Sequence, residues 1–521
     1  MSGIITEAFN NKTTLIEQAK EEVKKTYMND DRPWVIGYSG GKDSTVVVQL
    51  VFEALSEMPS DQLTKKVYVI SSDTLVETPL IIQSINTTLR RIEEKAVELN
   101  LPIETHKVKP MVDQSFWVNI IGKGYPSPNQ QFRWCTDRLK IDPANQFIKE
   151  KVNSFGEVIM VLGVREQESA TRANVIKSHS VDGKVLMRHS TLSNAYVYAP
   201  IRKFDLDEVW NYLLSFESPW GDDNYELHRL YQESGSGECP LVVDKTVKES
   251  AGSCGNSRFG CWVCTVVNED KALSGFIDSG HDWMKPLLDF RNWLASIRDD
   301  RTRRMKYRMN GQVYFMPMQI KNIDGTDYVI VPKKGSRKKD LIPLEKFDII
   351  EKHEVKEYLS KNNIDLSSSD DPMVLIRDEN ENLCRFGLGA FTLEARKEIL
   401  QYLLQVQKDL THPFDEEYDL IKEDELKEIR KIWFSHGDFE DSLPQLFNSV
   451  FGYHLNWEKD ERLIFDQDEL HQLEMMCQEE GVDFKLIKKL LLIEKEYTGY
   501  KVRRGLMDQL SNALKQDYLH L

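Results

Sequence analysis

The sequence predicts an α/β protein: a doubly wound parallel sheet, then a cysteine-rich segment, then a helical carboxyl-terminal region. Three observations carry this prediction. Through the first 235 residues, short apolar runs alternate with segments of helical period. The glycine-bearing turn Ser39–Ser44 stands between the first such run and the first such helix. From about Thr392 onward the apolar residues keep helical spacing in an acidic background.

Taken in order, WVIGYS (Trp34–Ser39) is a short apolar strand, and Ser44–Glu57 has the helical period. KVYVISSD (Lys66–Asp73) is a second strand, followed by a long helix from about Glu77 to Asn100. Further strands are expected at Pro102–Val108, Glu157–Val164 and Tyr196–Ile201. Lys203, Phe204 and Asp205 open another helix, continued by DLDEVWNYLLSF. Strands separated by helices imply a parallel sheet covered on both faces. From Ser234 the texture becomes rich in Gly, Ser and Cys, and SSSDDP (Ser367–Pro372) reads as a linker. The expected divisions are 1–235, a cysteine-rich segment 236–297, a basic middle 298–391, and an acidic helical region 392–521.

With 521 residues, the chain is long enough for two to four domains at about 100–200 residues each. Its 68 Lys and Arg against 84 Asp and Glu leave a net charge of −16, which argues against a bulk coater of DNA. Within it, however, Arg298–Asp340 holds twelve basic and five acidic residues, a local +7. No stretch approaches the roughly 18 uncharged apolar residues of a spanning helix. The start lacks a basic region followed by an apolar run, so a cytoplasmic protein without membrane contact is expected. Seven cysteines are too few for a disulfide scaffold and are expected to be thiols available for metal or chemistry.

The turn SGGKDS has a direct physical logic. Gly40 and Gly41 allow tight turns and close approach of an anion. The amides at the following helix start point at such an anion, aided by the helix dipole. Ser39 and Ser44 add hydroxyls and Lys42 adds charge, while Asp43 suits a cap or a route to Mg²⁺. It is not a Walker A loop, because Ile36 replaces the first glycine and Asp43 follows the lysine. SGGKDS instead resembles the PP-loop of ATP pyrophosphatases, the adenine nucleotide alpha hydrolase-like fold. That resemblance implies ATP cleaved to AMP and pyrophosphate, with Lys42 and Asp43 catalytic.

Three more segments resemble the adenylyl-sulfate and phosphoadenylyl-sulfate reductase branch: SSDTLVETP (Ser71–Pro79), RWCTDRLKIDP (Arg133–Pro143) and GVREQESATRA (Gly163–Ala173). Asp73 ends a strand at the carboxyl edge, where ligands bind in open α/β sheets. Arg133, Arg138, Arg165 and Arg172 are candidates for phosphate contact, with Glu168 orienting one of them.

The cysteines Cys239, Cys254, Cys261 and Cys264 are spaced for one metal centre, the last two as C-x2-C. Without paired histidines, four thiolates suit a 4Fe-4S cluster or zinc. Either Cys239 or Cys135 completes the set. The reading adopted assigns Cys239 to the cluster and Cys135, flanked by Arg133 and Arg138, to sulfur handling with a lowered thiol pKa.

Taken together, the chain resembles the DndC family, the PP-loop proteins of DNA phosphorothioation systems. The cysteines, the basic middle and the terminal EYTGYKVRRGL (Glu496–Leu506) extend the likeness past the reductase motifs. The resemblance implies replacement of a non-bridging oxygen of the DNA backbone by sulfur. It also implies a cysteine desulfurase as sulfur donor, with a DndD-like ATPase and a DndE-like protein as partners. Reductase of adenylyl sulfate, tRNA thiolase and nucleotide-binding scaffold are the alternative readings. Arg301, Arg303, Arg304 and Arg308 in the basic middle are the candidates for DNA phosphate contacts.

Overall fold

The computed structural model describes residues 2–168, 185–189, 192–234, 259–305, 308, 315–332, 339–362, 373–413, 418–457, 467–497, 503 and 505–515. They form two compact units: residues 1–116 with 128–288, and residues 117–127 with 289–521. The expected cysteine-rich segment thus falls mostly in the first unit, and the basic and acidic regions share the second.

The first unit is built on six strands: β1 (Trp34–Gly37), β2 (Val67–Ser72), β3 (Ile103–Val108), β4 (Val158–Val161), β5 (Met187–Arg188) and β6 (Ala195–Tyr198). Their order is β3-β2-β1-β4-β6-β5. All neighbours are parallel except β5 against β6. The period-two alternation sends successive side chains to opposite faces. On one face Val35, Tyr68, Ile70 and Val158 pack with Ile148 of the helix Asp142–Phe155. On the other, Trp34 meets Tyr27 of α1 (Ser2–Met28) edge-on at 5.5 Å and Tyr198 at 5.6 Å. Covering both faces explains why β1 and β2 are apolar almost throughout.

Two helices connect the first three strands, α2 (Lys42–Ser56) after β1 and α3 (Pro79–Glu98) after β2. The helix expected after Lys203 runs Leu206–Ser215. Its start is a capping box in which Asp205 accepts from the Glu208 amide and Glu208 from the Asp205 amide. The long α1 was not expected from the sequence. The strand order reverses between β1 and β4, so their carboxyl ends border the crevice where open α/β sheets bind ligands.

The second unit contains strands that the sequence did not announce. β7 (Phe315–Pro317), β11 (Asp348–Glu351), β12 (Val374–Arg377) and β13 (Leu383–Phe386) form a four-stranded sheet over Ile350, Val374, Ile376 and Phe386. β8 (Gln319–Ile323), β9 (Thr326–Pro332) and β10 (Lys339–Pro343) form a three-stranded antiparallel sheet. The helical region behaves as expected from Leu393, with helices Leu393–Asp409, Glu423–Ser435 and Ser442–Phe451. The expected linker 367–372 lies outside the described residues, as does most of the terminal motif. No described helix is long and apolar enough to cross a membrane.

Residues 117–127 belong to this unit because buried side-chain-to-backbone hydrogen bonds run both ways between them and the rest of it. Trp433 Nε1 donates to Ile121 O at 2.6 Å, Trp117 Nε1 to Leu420 O at 2.7 Å, and Arg396 Nη1 to Gly122 O at 2.6 Å. Trp433 is fully buried. Trp433→Ala should therefore lose a large core side chain and orphan the Ile121 carbonyl, at a cost of about 3–5 kcal/mol. A urea titration should show this as a lowered midpoint.

Candidate active site

The turn after β1 has the form that its sequence suggested. Gly40 has φ +72, and a Cβ there would stand 2.6 Å from Ile85 Cγ1. Gly41 is the N-cap of α2, and no side chain caps the helix. Instead, Ser44 Oγ donates to Gly41 O at 2.8 Å and accepts from the Ser39 amide at 3.2 Å, while Thr45 Oγ1 also reaches Gly41 O. These bonds fix the turn from below, so the first α2 amides stay directed at the crevice, where the helix dipole favours an anion. Lys42 is buried, with its ammonium 5.0 Å over the Tyr231 ring and its amide donating to the Tyr231 hydroxyl at 3.2 Å.

The chain leaving β4 locks onto this turn. Arg165 Nε donates to Asp43 Oδ1 at 2.6 Å, and Lys42 Nζ lies 3.5 Å from Asp43 Oδ2. Arg165 is 5% exposed, so the pair is shielded and strong. Gly163 makes the approach possible: a Cβ there would be 2.8 Å from Asp43 O, a backbone atom that no rotamer change can move. The guanidinium expected at ATP phosphates thus also orients the loop aspartate.

Asp73 does end its strand at this edge, and it is buried. Its Oδ1 accepts from the Leu75 amide at 3.0 Å, closing a turn in which Leu75 has φ +66. Arg138 Nη1 donates to Gln114 Oε1 at 2.9 Å. Arg172 and the Glu168 side chain lie outside the described residues.

The cysteine turn is held against the segment that follows Asp73. The Thr78 amide and hydroxyl both donate to Gly260 O, at 3.1 and 2.8 Å, and the Trp262 amide donates to Val76 O at 3.0 Å. Cys261 therefore pairs with Glu77 as an antiparallel bridge. Its Sγ lies 3.4 Å from Thr74 Oγ1 and 3.9 Å from Glu77 Oε1, which also takes an ion pair from Lys140 at 3.3 Å. The Cys264 amide donates to Cys261 O at 3.0 Å, the tight turn that C-x2-C requires.

Cys135, in the short helix Trp134–Thr136, is close enough to Cys264 for their charges to interact. Burial, then Cys264, pushes the Cys135 thiol up rather than down, which corrects the expectation of an arginine-activated thiolate. Burial likewise pushes the Cys261 thiol up. The sulfur of Cys261 and the Glu77 carboxylate hold the Lys140 ammonium above its ordinary value.

These residues fit a thiolate-held metal in kind: Cys135, Cys261 and Cys264 are three half-buried soft sulfur donors. Cys239 and Cys254 lie outside the described residues. Among the described residues, no three donors already stand at metal-binding distances.

Residues 33–267 match the family model of the phosphoadenosine phosphosulfate reductase domain. This segment is thus similar to that reductase domain. The chain is also 26% identical over 245 residues to uncharacterized protein MJ0066 of Methanocaldococcus jannaschii, covering 47% of this chain and 38% of that relative. Thus it spans well under half the length of the curated relative it matches. Similar solved structures include the U34-tRNA thiolase NcsA from Methanococcus maripaludis with its 4Fe-4S cluster, at 15% identity and TM-score 0.27. That likeness covers 46% of this chain and 77% of NcsA. FMN adenylyltransferase of Candida glabrata is similar at 15% identity and TM-score 0.26, covering 42% and 60%.

The reductase-like domain contains residues that the sequence reading did not single out. Tyr231 touches the loop from a position 189 residues away, with no motif to announce it. Thr74, Glu77 and Gly163 stood inside recognised segments, yet their roles depend on contacts that spacing does not encode.

Outside that domain, the basic middle needs correction. Arg301 and Arg304 are buried, so they do not present charge to a DNA backbone. The Arg304 guanidinium is spent on the Gly389, Arg298 and Leu388 carbonyls. Arg303 is paired with Glu398 through two bonds, at 2.8 and 2.9 Å, and with Asp300. Only Arg308 of the four is exposed. Arg304→Ala should cost about 2–4 kcal/mol of stability, through buried carbonyls left unsatisfied. Chemical denaturation checks this, and DNA binding by the folded variant should keep its salt slope.

Proposed function

We propose that the chain is an ATP pyrophosphatase that adenylates a DNA backbone phosphate and exchanges a non-bridging oxygen for sulfur. The observation that carries this reading is the juxtaposition of the Ser39–Ser44 turn, closed by Arg165 on Asp43, with the Cys261–Cys264 turn held to residues 76–78 at the same sheet edge. A nucleotide loop alone suits many ligases. Thiols beside it suit the transfer of sulfur to the group that has just been activated.

The chemistry balances in two displacements. A non-bridging oxygen of the DNA phosphodiester attacks the α-phosphorus of ATP, and the bond to the β-phosphate oxygen breaks. Pyrophosphate leaves with its Mg²⁺, its charge met by the α2 amides and Lys42. Hydrosulfide, released from a desulfurase persulfide by a thiol reductant that is itself oxidised to a disulfide, then attacks the DNA phosphorus. AMP departs with the original oxygen, leaving a phosphorothioate. A 4Fe-4S cluster, held by Cys261, Cys264 and Cys135 with a thiol of the 239–254 stretch, would supply a place to present that sulfur. Arg165 keeps Asp43 in place, and Glu77, Thr74 and Lys140 keep Cys261 in place. A DndD-like ATPase and a DndE-like protein are the proposed partners on DNA.

The test is pyrophosphate and AMP release by the purified chain with ATP and Mg²⁺. Duplex DNA should stimulate release, and RNA should not compete. Stimulation by RNA instead would move the acceptor to tRNA. Stimulation by a sulfate ester alone would make the chain a small-molecule enzyme, and no release would leave it a scaffold.

A further inference from the structure

Tyr231 belongs to the helix Asn224–Glu233 and reaches the start of α2, where an anion is expected. Its hydroxyl accepts from the Lys42 amide at 3.2 Å, the first amide of α2. This placement is built rather than incidental. The side chain is buried, and its ring is gripped edge-on by Trp210 at 5.2 Å and by Phe259 at 4.5 Å. The hydroxyl sits tightly over residue 41: a Cβ there would lie 3.1 Å from it and push it back by a few tenths of an ångström. The same ring lies 5.0 Å from the Lys42 ammonium and so holds that charge at the crevice by its π face.

A buried amide needs a partner, and a helix-start amide in a phosphate loop is the one that a phosphate oxygen would take. We propose that Tyr231 is a positioning residue that stands in for a phosphate oxygen at the Lys42 amide and retakes that amide when pyrophosphate leaves. This deepens the nucleotide reading above and rests on it. Before ATP binds, the hydroxyl keeps the amide satisfied and the loop in its binding shape. Entering phosphate must displace it, which weakens binding. The same competition assists release of the charged product, a step that limits many enzymes. The ring stays with Lys42 throughout.

The experiment compares the full-length wild type with Tyr231→Phe, which keeps the ring and removes only the hydroxyl. Calorimetric titrations use ATP, inorganic pyrophosphate and adenosine as probes. Without its internal competitor, the variant should bind ATP and pyrophosphate about three- to tenfold more tightly, the worth of one neutral hydrogen bond. Adenosine, which carries no phosphate, should bind equally to both proteins and so reports an intact site. In turnover, KM for ATP and the inhibition constant for pyrophosphate should fall together, while kcat stays level or drops. Equal or weaker binding of pyrophosphate by a variant that still binds adenosine normally would overturn the stand-in role alone. A wild type that binds neither ATP nor pyrophosphate would instead overturn the nucleotide reading on which it rests.

Discussion

Asp43→Asn should lower pyrophosphate release by about a hundredfold or more while leaving the loop's shape nearly unchanged. The side chain keeps its size, but its charge is lost where three cationic features meet: the Arg165 guanidinium, the Lys42 ammonium and the start of α2. With the carboxylate present, Arg165 and Lys42 are held at fixed positions. With an amide in its place, both buried cations lose that carboxylate charge. Removing one preorganised electrostatic contact typically costs about 3–4 kcal/mol of transition-state stabilisation, a hundredfold to a thousandfold in rate. Gly163→Ala should act in the same direction by another route, since its Cβ would press on the Asp43 carbonyl and tilt the first turn of α2. Circular dichroism and thermal melts separate these losses from unfolding. Release by folded Asp43→Asn at more than a tenth of the wild-type rate would remove Asp43 from the machinery.

How much of this was legible in the sequence depends on how local each feature is. β1, the glycine turn and α2 were readable because each is set by neighbours in the chain: apolar run, φ-permissive residue, helical period. The helix start at Asp205 was readable for the same reason. The strands of the second unit were not. β8 is exposed almost throughout and β7 is three residues long, so neither has a clear two-residue alternation. The basic middle misled for a related reason. Composition counts a charge but not its direction, and Arg304 turns inward onto carbonyls of residues 388 and 389, more than eighty positions on. Tyr231 shows the same limit, because its role is created wholly by tertiary contact. The α1 helix went unread because no turn or cap signal marked its start, and it is defined by the Tyr27–Trp34 packing at its far end.

Replacing Cys135 by Ser should remove iron from the anaerobically purified protein, as Cys261→Ser and Cys264→Ser should. Chain distance made Cys239 the simpler fourth ligand, but the fold returns Cys135 to within electrostatic reach of Cys264. A thiol brought toward the C-x2-C turn by the fold has less chain to order on ligation than its sequence distance implies, whereas a thiolate used for transfer needs access and charge stabilisation. Burial pushes the Cys135 thiol up, which disfavours a free thiolate nucleophile. A cubane deprived of one of its thiolates typically becomes labile. The expected result is therefore iron and acid-labile sulfide falling to a small fraction of wild type in all three variants, with loss of the broad visible absorbance. ATP cleavage should persist, because the loop, Arg165 and Asp43 are fixed by contacts that involve no cysteine. Sulfur insertion into DNA should vanish. If Cys135→Ser keeps full iron yet inserts no sulfur, Cys135 handles the sulfur atom itself and Cys239 or Cys254 takes its place at the metal. If zinc rather than iron accompanies the wild type, the turn clips the fold together and the sulfur must be delivered entirely by the donor protein.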